Sequence, residues 1–212
     1  MVSGALRGGG AVVGVDVGVG VVDTLDNSNQ HGNPTLLENI LKWDYQQHPT
    51  GYYDIIHASP PCTQFCFANP HPDVRKVYDA VNIVLKCLKI IQYYNPIVWI
   101  LENPVNRLQK LRIMQPYEQY KKTVTYCMFG TPYKKATNLW SNIDVDMPKC
   151  SAQTPCHNVY LYGGHPQTAQ SGPSYRKHGT LLIPGTPPHE VQKMPFQCLK
   201  HMIMNVPMFQ LK

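Results

Sequence analysis

Ile97-Val98-Trp99-Ile100-Leu101 is an unbroken apolar run of strand length that passes directly into Glu102-Asn103-Pro104. A strand apolar on both faces is one buried on both faces, the habit of parallel sheets covered by helices. Upstream, apolar residues recur at helical spacing from Asp73 to about Tyr94 (Val74, Val77, Val81, Val84, Leu85, Leu88, Ile91), and Asn95-Pro96 ends the pattern. Before that helix, Tyr53-Asp54-Ile55-Ile56-His57-Ala58 reads as a short strand stopped by Ser59-Pro60-Pro61, because two prolines cannot continue a ladder. Strand, helix and strand thus follow one another, with Cys62 just past the first strand and Glu102 at the end of the second.

The same alternation extends in both directions. Val19 to Leu25 predicts a strand ending in Asp26; Thr35 is placed to cap a short helix carrying Leu36, Leu37, Ile40 and Leu41; and Lys42-Trp43-Asp44-Tyr45 follows with a second carboxylate. Val124 to Phe129 and Asn138 to Ile143 read as further strands. The fold class expected is α/β, a Rossmann-like, doubly wound and mostly parallel sheet. Ligands of such sheets collect outside the carboxyl ends of the strands, where Asp26, Asp44, Cys62 and Glu102 would lie. A single domain is expected over 1–212: a low-complexity Gly/Val N-terminus over 1–20, a core over 21–147, a loop-rich segment rich in Pro, Gly, Ser and His over 148–188, and a C-terminal helix over 189–212, interrupted by Pro195.

Nineteen Lys and Arg against thirteen Asp and Glu give a formal net charge of +6, which favours a polyanionic partner through counterion release. No apolar run reaches the length of a membrane span and no secretory leader is recognisable, so a soluble intracellular protein, a monomer with no membrane partner, is expected. Seven cysteines without framework spacing imply thiols in a reducing compartment.

A thiol held past a strand end by two prolines is a pre-organised nucleophile. Glu102 supplies what a nucleophile needs in a partner: a carboxylic acid kept protonated by its surroundings donates a hydrogen bond to a ring nitrogen. The pair suits addition to a heteroaromatic ring. Within the loop-rich segment Cys150, Cys156, His157 and His165 are weak candidates for a metal; Cys-x5-Cys-His is not a tight ligand spacing, and no metal is expected.

The order of these motifs resembles the cytosine-C5 DNA methyltransferase family. The wording ASPPCTQF (Ala58 to Phe65), VWILENP (Val98 to Pro104) and YCMFGTPYKKATNLWSN (Tyr126 to Asn142) is most similar to the short members carried by phages and large DNA viruses. The likeness runs from about Val21 to Trp140 and continues more faintly to the C-terminus. It implies an S-adenosyl-L-methionine (AdoMet) dependent enzyme whose cytosine is flipped out of a DNA duplex. Cys62 would attack C6, Glu102 would hydrogen-bond N3 and the exocyclic amine, and Lys135 would contact O2 or a phosphate. The resemblance further assigns Asp26, Asp44, Trp43 and Pro61 to the cofactor, and Pro60, Asn103, Lys134 and Thr137 to the substrate. Asp23 is a competing register for Asp26, and Tyr45 an alternative to Trp43 for covering the adenine. The segment over 148–188 implies a short target sequence.

Two features depart from the family pattern. The Phe-x-Gly-x-Gly loop that follows its first strand has no counterpart; Gly8-Gly9-Gly10 and Gly14 to Gly20 are glycine-rich without the aromatic, so the first strand reads as degenerate. The Gln and two Arg that follow Gly-x-Pro are replaced by Tyr133-Lys134-Lys135-Ala136-Thr137, and lysine lacks the planar fork of arginine. Two alternatives stay open: a methyltransferase-like nucleic-acid-binding module without catalysis, and an RNA cytosine-5 methyltransferase. A zinc deaminase is excluded by spacing, because His57-Ala58-Ser59 and Cys62-x3-Cys66 stand where His-x-Glu and Cys-x-x-Cys are needed. A cysteine hydrolase is disfavoured, since no oxyanion-type motif accompanies Cys62.

Overall fold

The computed structural model describes residues 12–16, 21–27, 34–67, 69–169, 174–175, 182–191 and 194–206. They fall into two compact units, one of residues 8–122 with 138–144, the other of residues 123–137 with 145–212. In chain order the elements are β1 (Val12–Asp16), β2 (Val21–Asp26), β3 (Leu36–Leu37), β4 (Ile55–Ala58), α1 (Val74–Tyr94), β5 (Val98–Pro104), β6 (Lys121–Thr125), β7 (Ala136–Ser141), α2 (His157–Tyr162), β8 (Ser174–Tyr175), β9 (Leu182–Ile183), α3 (Pro188–Val191) and α4 (Phe196–Met204).

In the first unit the strands lie in the order β3-β2-β1-β4-β5-β7. The β3-β2-β1-β4-β5 part is the arrangement of nucleotide-binding α/β sheets. The directions differ from the mostly parallel expectation. β4 and β5 are parallel, as are β2 and β3, but β1 runs antiparallel to both β2 and β4. The cause is the connection: four residues separate Asp16 from Val21, whereas a parallel neighbour needs a crossover of a dozen or more. The low-complexity N-terminus therefore supplies a central strand, of opposite sense to the one the fold class calls for. β2, β4 and β5 still share one direction, so Asp26, the Ser59–Cys62 loop and Glu102 all emerge at the same edge.

α1 begins where the sequence pattern places it. The Asp73 carboxylate accepts from the backbone N–H groups of Arg75 (2.8 Å) and Lys76 (3.4 Å), and Asn95, at φ 46°, closes the helix in the left-handed conformation. Its inner face buries Val84, Leu88 and Ile91, each contributing about 1.5–3 kcal/mol relative to an exposed position. Thr35 does not cap a helix. Its Oγ1 accepts from Thr24 N–H (2.8 Å) while Thr24 Oγ1 accepts from Thr35 N–H (2.9 Å), and this reciprocal pair draws Leu36–Leu37 into the sheet beside Leu25 and Asp26. Between β5 and β6 the chain advances in 3₁₀ turns, Arg107–Lys110 and Arg112–Tyr120, where Pro116 prevents an α-helix. Among the described residues α1 is the one long helix, and helices on both faces of the sheet are not seen.

In the second unit, the strand expected over Val124–Phe129 divides: β6 ends at Thr125 and a 3₁₀ turn, Tyr126–Phe129, closes on Gly130. The loop-rich segment contains α2 and the β8–β9 hairpin. Pro195 divides the C-terminal helical pattern into α3 and α4, sitting at the N-cap of α4, which buries Cys198 and Met202. No helix among the described residues is long and apolar enough to cross a membrane.

Candidate active site

The parallel register of β4 and β5 sets Ala58 beside Leu101, so the residues that follow, Ser59-Pro60 past the end of β4 and Glu102-Asn103 in the last residues of β5, run side by side. Two side-chain contacts lock that juxtaposition. Ser59 Oγ donates to Glu102 Oε2, and Asn103 Nδ2 donates to the Pro60 carbonyl at 2.8 Å. Asn106 Nδ2 donates to Asn103 Oδ1 (2.5 Å), and Asn106 Oδ1 accepts from Leu108 N–H (3.0 Å), so the asparagine is itself oriented from behind. Arg107 grips the far side of the cysteine loop through Nη1, which donates to the carbonyls of Cys66 (2.9 Å) and Asn69 (2.7 Å); its guanidinium lies 5.7 Å from the Phe67 ring centroid. A loop with no regular ladder is thereby held at both ends by the segment that follows β5.

Cys62 stands in the right-handed helical region at the head of the 3₁₀ turn Thr63–Phe65, its carbonyl accepting from Phe65 N–H at 3.0 Å. It is half-buried, while Pro60 and Phe65 are buried and Pro61 is exposed. Glu102 is 2% exposed and Asn103 fully buried. His57, also buried, is pushed below the ordinary histidine range by burial, against a smaller opposing pull from Glu102, and its Nε2 has no hydrogen-bond partner. It sits within the strand as a neutral imidazole.

The candidates for the cofactor separate. Asp26 ends β2, buried, at the edge shared with Cys62 and Glu102. Asp23 is engaged elsewhere: its Oδ2 accepts from the Tyr53 hydroxyl at 2.8 Å, and burial together with that bond holds the phenol far above its usual range. Asp44 caps the 3₁₀ turn Tyr45–Gln47 by accepting from Gln46 N–H (3.0 Å). Trp43 is packed in the main core and its carbonyl accepts from Lys86 Nζ (3.0 Å); Tyr45 lies under the same ammonium, 4.5 Å from its ring centroid.

Among known proteins, the chain is 28% identical to a "Probable DNA (cytosine-5)-methyltransferase" of Frog virus 3 (isolate Goorha), over 57% of this chain and 62% of that protein. The chain is related to the cytosine-C5 methyltransferases. The match spans about three fifths of the viral protein's length. No family model matches the chain.

In the second unit, Lys135 is buried, with Nζ donating to the Val191 carbonyl (2.8 Å) and lying 5.0 Å from the Tyr126 ring centroid. Lys134 is exposed, and Thr137 is buried with its Oγ1 unpartnered. Cys150, Cys156 and His165 come together, joined by Cys127, whereas the exposed His157 is not in that group. For a cytosine-C5 methyltransferase relative, sequence reasoning missed the supporting residues Ser59, Asn106 and Arg107. Ser59 and Asn106 each stand within three residues of a motif already singled out, which is the one signal that could have found them.

Proposed function

We propose that this chain transfers a methyl group from AdoMet to C5 of a cytosine in DNA through a covalent adduct between Cys62 and C6. The observation that carries the proposal is the buried clamp of Asn103 on the Pro60 carbonyl, which fixes the nucleophile loop against the strand bearing Glu102. The cytosine is flipped from the duplex at a cost of about a few kcal/mol in stacking and pairing. The Cys62 thiolate adds to C6, while Glu102 hydrogen-bonds N3 and the exocyclic amine and stabilises the charge that develops in the ring. Carbon 5 becomes nucleophilic and is methylated. Loss of its proton to a base or water then expels Cys62 and restores the aromatic ring.

Bound AdoMet supplies the electrophilic methyl. Asp26 fits its ribose end, as a buried carboxylate at the end of a strand on the Cys62 edge. Asp44 is spoken for by its own helix cap, and residues 8–10 and 17–20, the glycine-rich stretches, lie outside the described residues. The non-catalytic nucleic-acid-binding alternative draws on the reversed β1, which ends at Asp16 beside Val21, away from the Asp26 edge.

The test is transfer of tritiated methyl from AdoMet to duplex DNA and to tRNA, with wild type and Cys62→Ala, alongside trapping on DNA containing 5-fluorocytosine. Transfer to DNA and a covalent adduct, both abolished by Cys62→Ala, are expected. Equal incorporation by the two proteins rules out the mechanism, and a folded protein that binds DNA but shows no heat of AdoMet binding selects the non-catalytic alternative.

A further inference from the structure

In the second unit three thiols and an imidazole converge from four places in the chain. Cys127 lies in the 3₁₀ turn after β6, Cys150 in the loop after β7, Cys156 at the N-cap of α2, and His165 just beyond Gly163, which ends α2 in the left-handed conformation (φ 64°). Their ligand atoms all lie within 4.8 Å of one another. His165 Nε2 is 3.3 Å from Cys156 Sγ and 3.8 Å from Cys150 Sγ. Tetrahedral zinc, with Zn–S about 2.3 Å and Zn–N about 2.0–2.1 Å, requires ligand atoms about 3.5–3.8 Å apart, so small side-chain adjustments complete the shell.

The surroundings are built for this set. A turn in which Ser151 N–H donates to the Thr154 carbonyl (3.1 Å) and Thr154 Oγ1 donates to the Lys149 carbonyl (2.8 Å) folds the five intervening residues so that Cys150 and Cys156 meet. Cys150 N–H is anchored on Thr125 Oγ1 (2.7 Å), and Cys156 N–H donates to Cys150 Sγ (3.4 Å), the kind of N–H···S bond that supports a thiolate. Among the described residues the three cysteines form a small core of their own, with Met128 and Val159 packed against it. Three buried thiols can pack as small hydrophobes, but an imidazole nitrogen aimed between two of them is a polar group that such packing does not require.

We infer that Cys127, Cys150, Cys156 and His165 form a structural zinc site that ties the loop after β7, and α2, to the end of β6. Four protein ligands leave no open coordination position, which makes the site structural and not catalytic, and a soft S₃N set selects zinc among the common divalent ions. The helix it would anchor buries none of its own residues, with Tyr160, Leu161 and Tyr162 exposed, so a metal supplies cohesion that packing does not.

The measurement is metal content of the full chain purified without chelator, followed by chelation and titration with Zn²⁺ against a chromophoric competitor. One zinc per chain is expected, lost in Cys127→Ser, Cys156→Ser and His165→Ala and kept in His157→Ala. Because those variants can unfold, Co²⁺ is also added to stripped wild type, where intense tetrahedral bands and thiolate charge transfer are expected. A weak octahedral spectrum, no zinc after titration, or full zinc in Cys156→Ser overturns the site. None of these readouts depends on methyl transfer.

Discussion

Removing the Asn103 side chain tests how the nucleophile loop is held. Asn103→Ala deletes the donor to the Pro60 carbonyl and the acceptor of the Asn106 amide, at 2.8 and 2.5 Å, in a place with no exposure. Each abandoned buried partner costs about 1–3 kcal/mol. Two give about 2–6 kcal/mol, and relaxation of the Pro60 loop towards water brings the expected loss to the lower half of that range. Urea denaturation followed by fluorescence reads the change as a lower midpoint at unchanged slope. Asn103→Asp keeps the acceptor for Asn106 but faces Pro60 with oxygen instead of N–H, and is expected to lose as much. Adduct formation on 5-fluorocytosine DNA should slow in both variants. A stability change for Asn103→Ala within about 0.5 kcal/mol of wild type, the range of an ordinary surface substitution, excludes the clamp.

Other outcomes follow from neighbouring residues. Arg107→Ala frees the carbonyls of Cys66 and Asn69, and limited proteolysis should then cut within 62–69 faster than in wild type, with Arg107→Lys intermediate because an ammonium can replace the single Nη1 donor but not the planar guanidinium beside Phe67. Burial raises the Cys87 thiol from 9.0 to about 12, so it stays unlabelled by iodoacetamide at pH 8 in the native protein. The stability this thiol contributes is whole below about pH 9 and is lost as pH climbs towards about 12, since the unfolded chain ionises first. His57 has the opposite sign: its lowered value contributes stability above about pH 6.5 that disappears as pH falls, because the unfolded chain takes the proton more readily. His57→Gln should flatten the loss of denaturation midpoint between pH 7 and pH 5. Asp26→Ala should weaken AdoMet binding, read by calorimetry.

Much of the first unit is legible because its signals are local. The α1 pattern, its Asp73 cap and its Asn95-Pro96 stop lie within the helix and its two flanks, and the end of β4 is written in proline, whereas β5 continues past its apolar run through Glu102-Asn103 to Pro104. What escaped depends on partners distant in sequence. Leu36–Leu37 has helical spacing with Ile40 and Leu41, but Thr24, bonded to Thr35 eleven residues on, decides its conformation. β1 is hidden in a Val/Gly repeat whose composition suggests no element, and it becomes a strand because β2 and β4 flank it. Arg107 acts on carbonyls some forty residues upstream, which carry no side-chain signature. Cys127 was overlooked as a ligand because the spacing rules for metals look for neighbours, and it stands 23 positions before Cys150.

β1 joins the strand carrying Asp26 to the strand leading to Cys62, and from Val13 to Val21 its stretch of chain alternates valine with glycine or aspartate. Such a ruler has identical marks. A slide of two residues preserves its alternation while displacing one half of the sheet by about 6.6–6.8 Å along the other. The alignment of the two edge residues therefore depends on the flanking strands, and mutations that stiffen β2 or β4 should sharpen it more than any change of valine within β1.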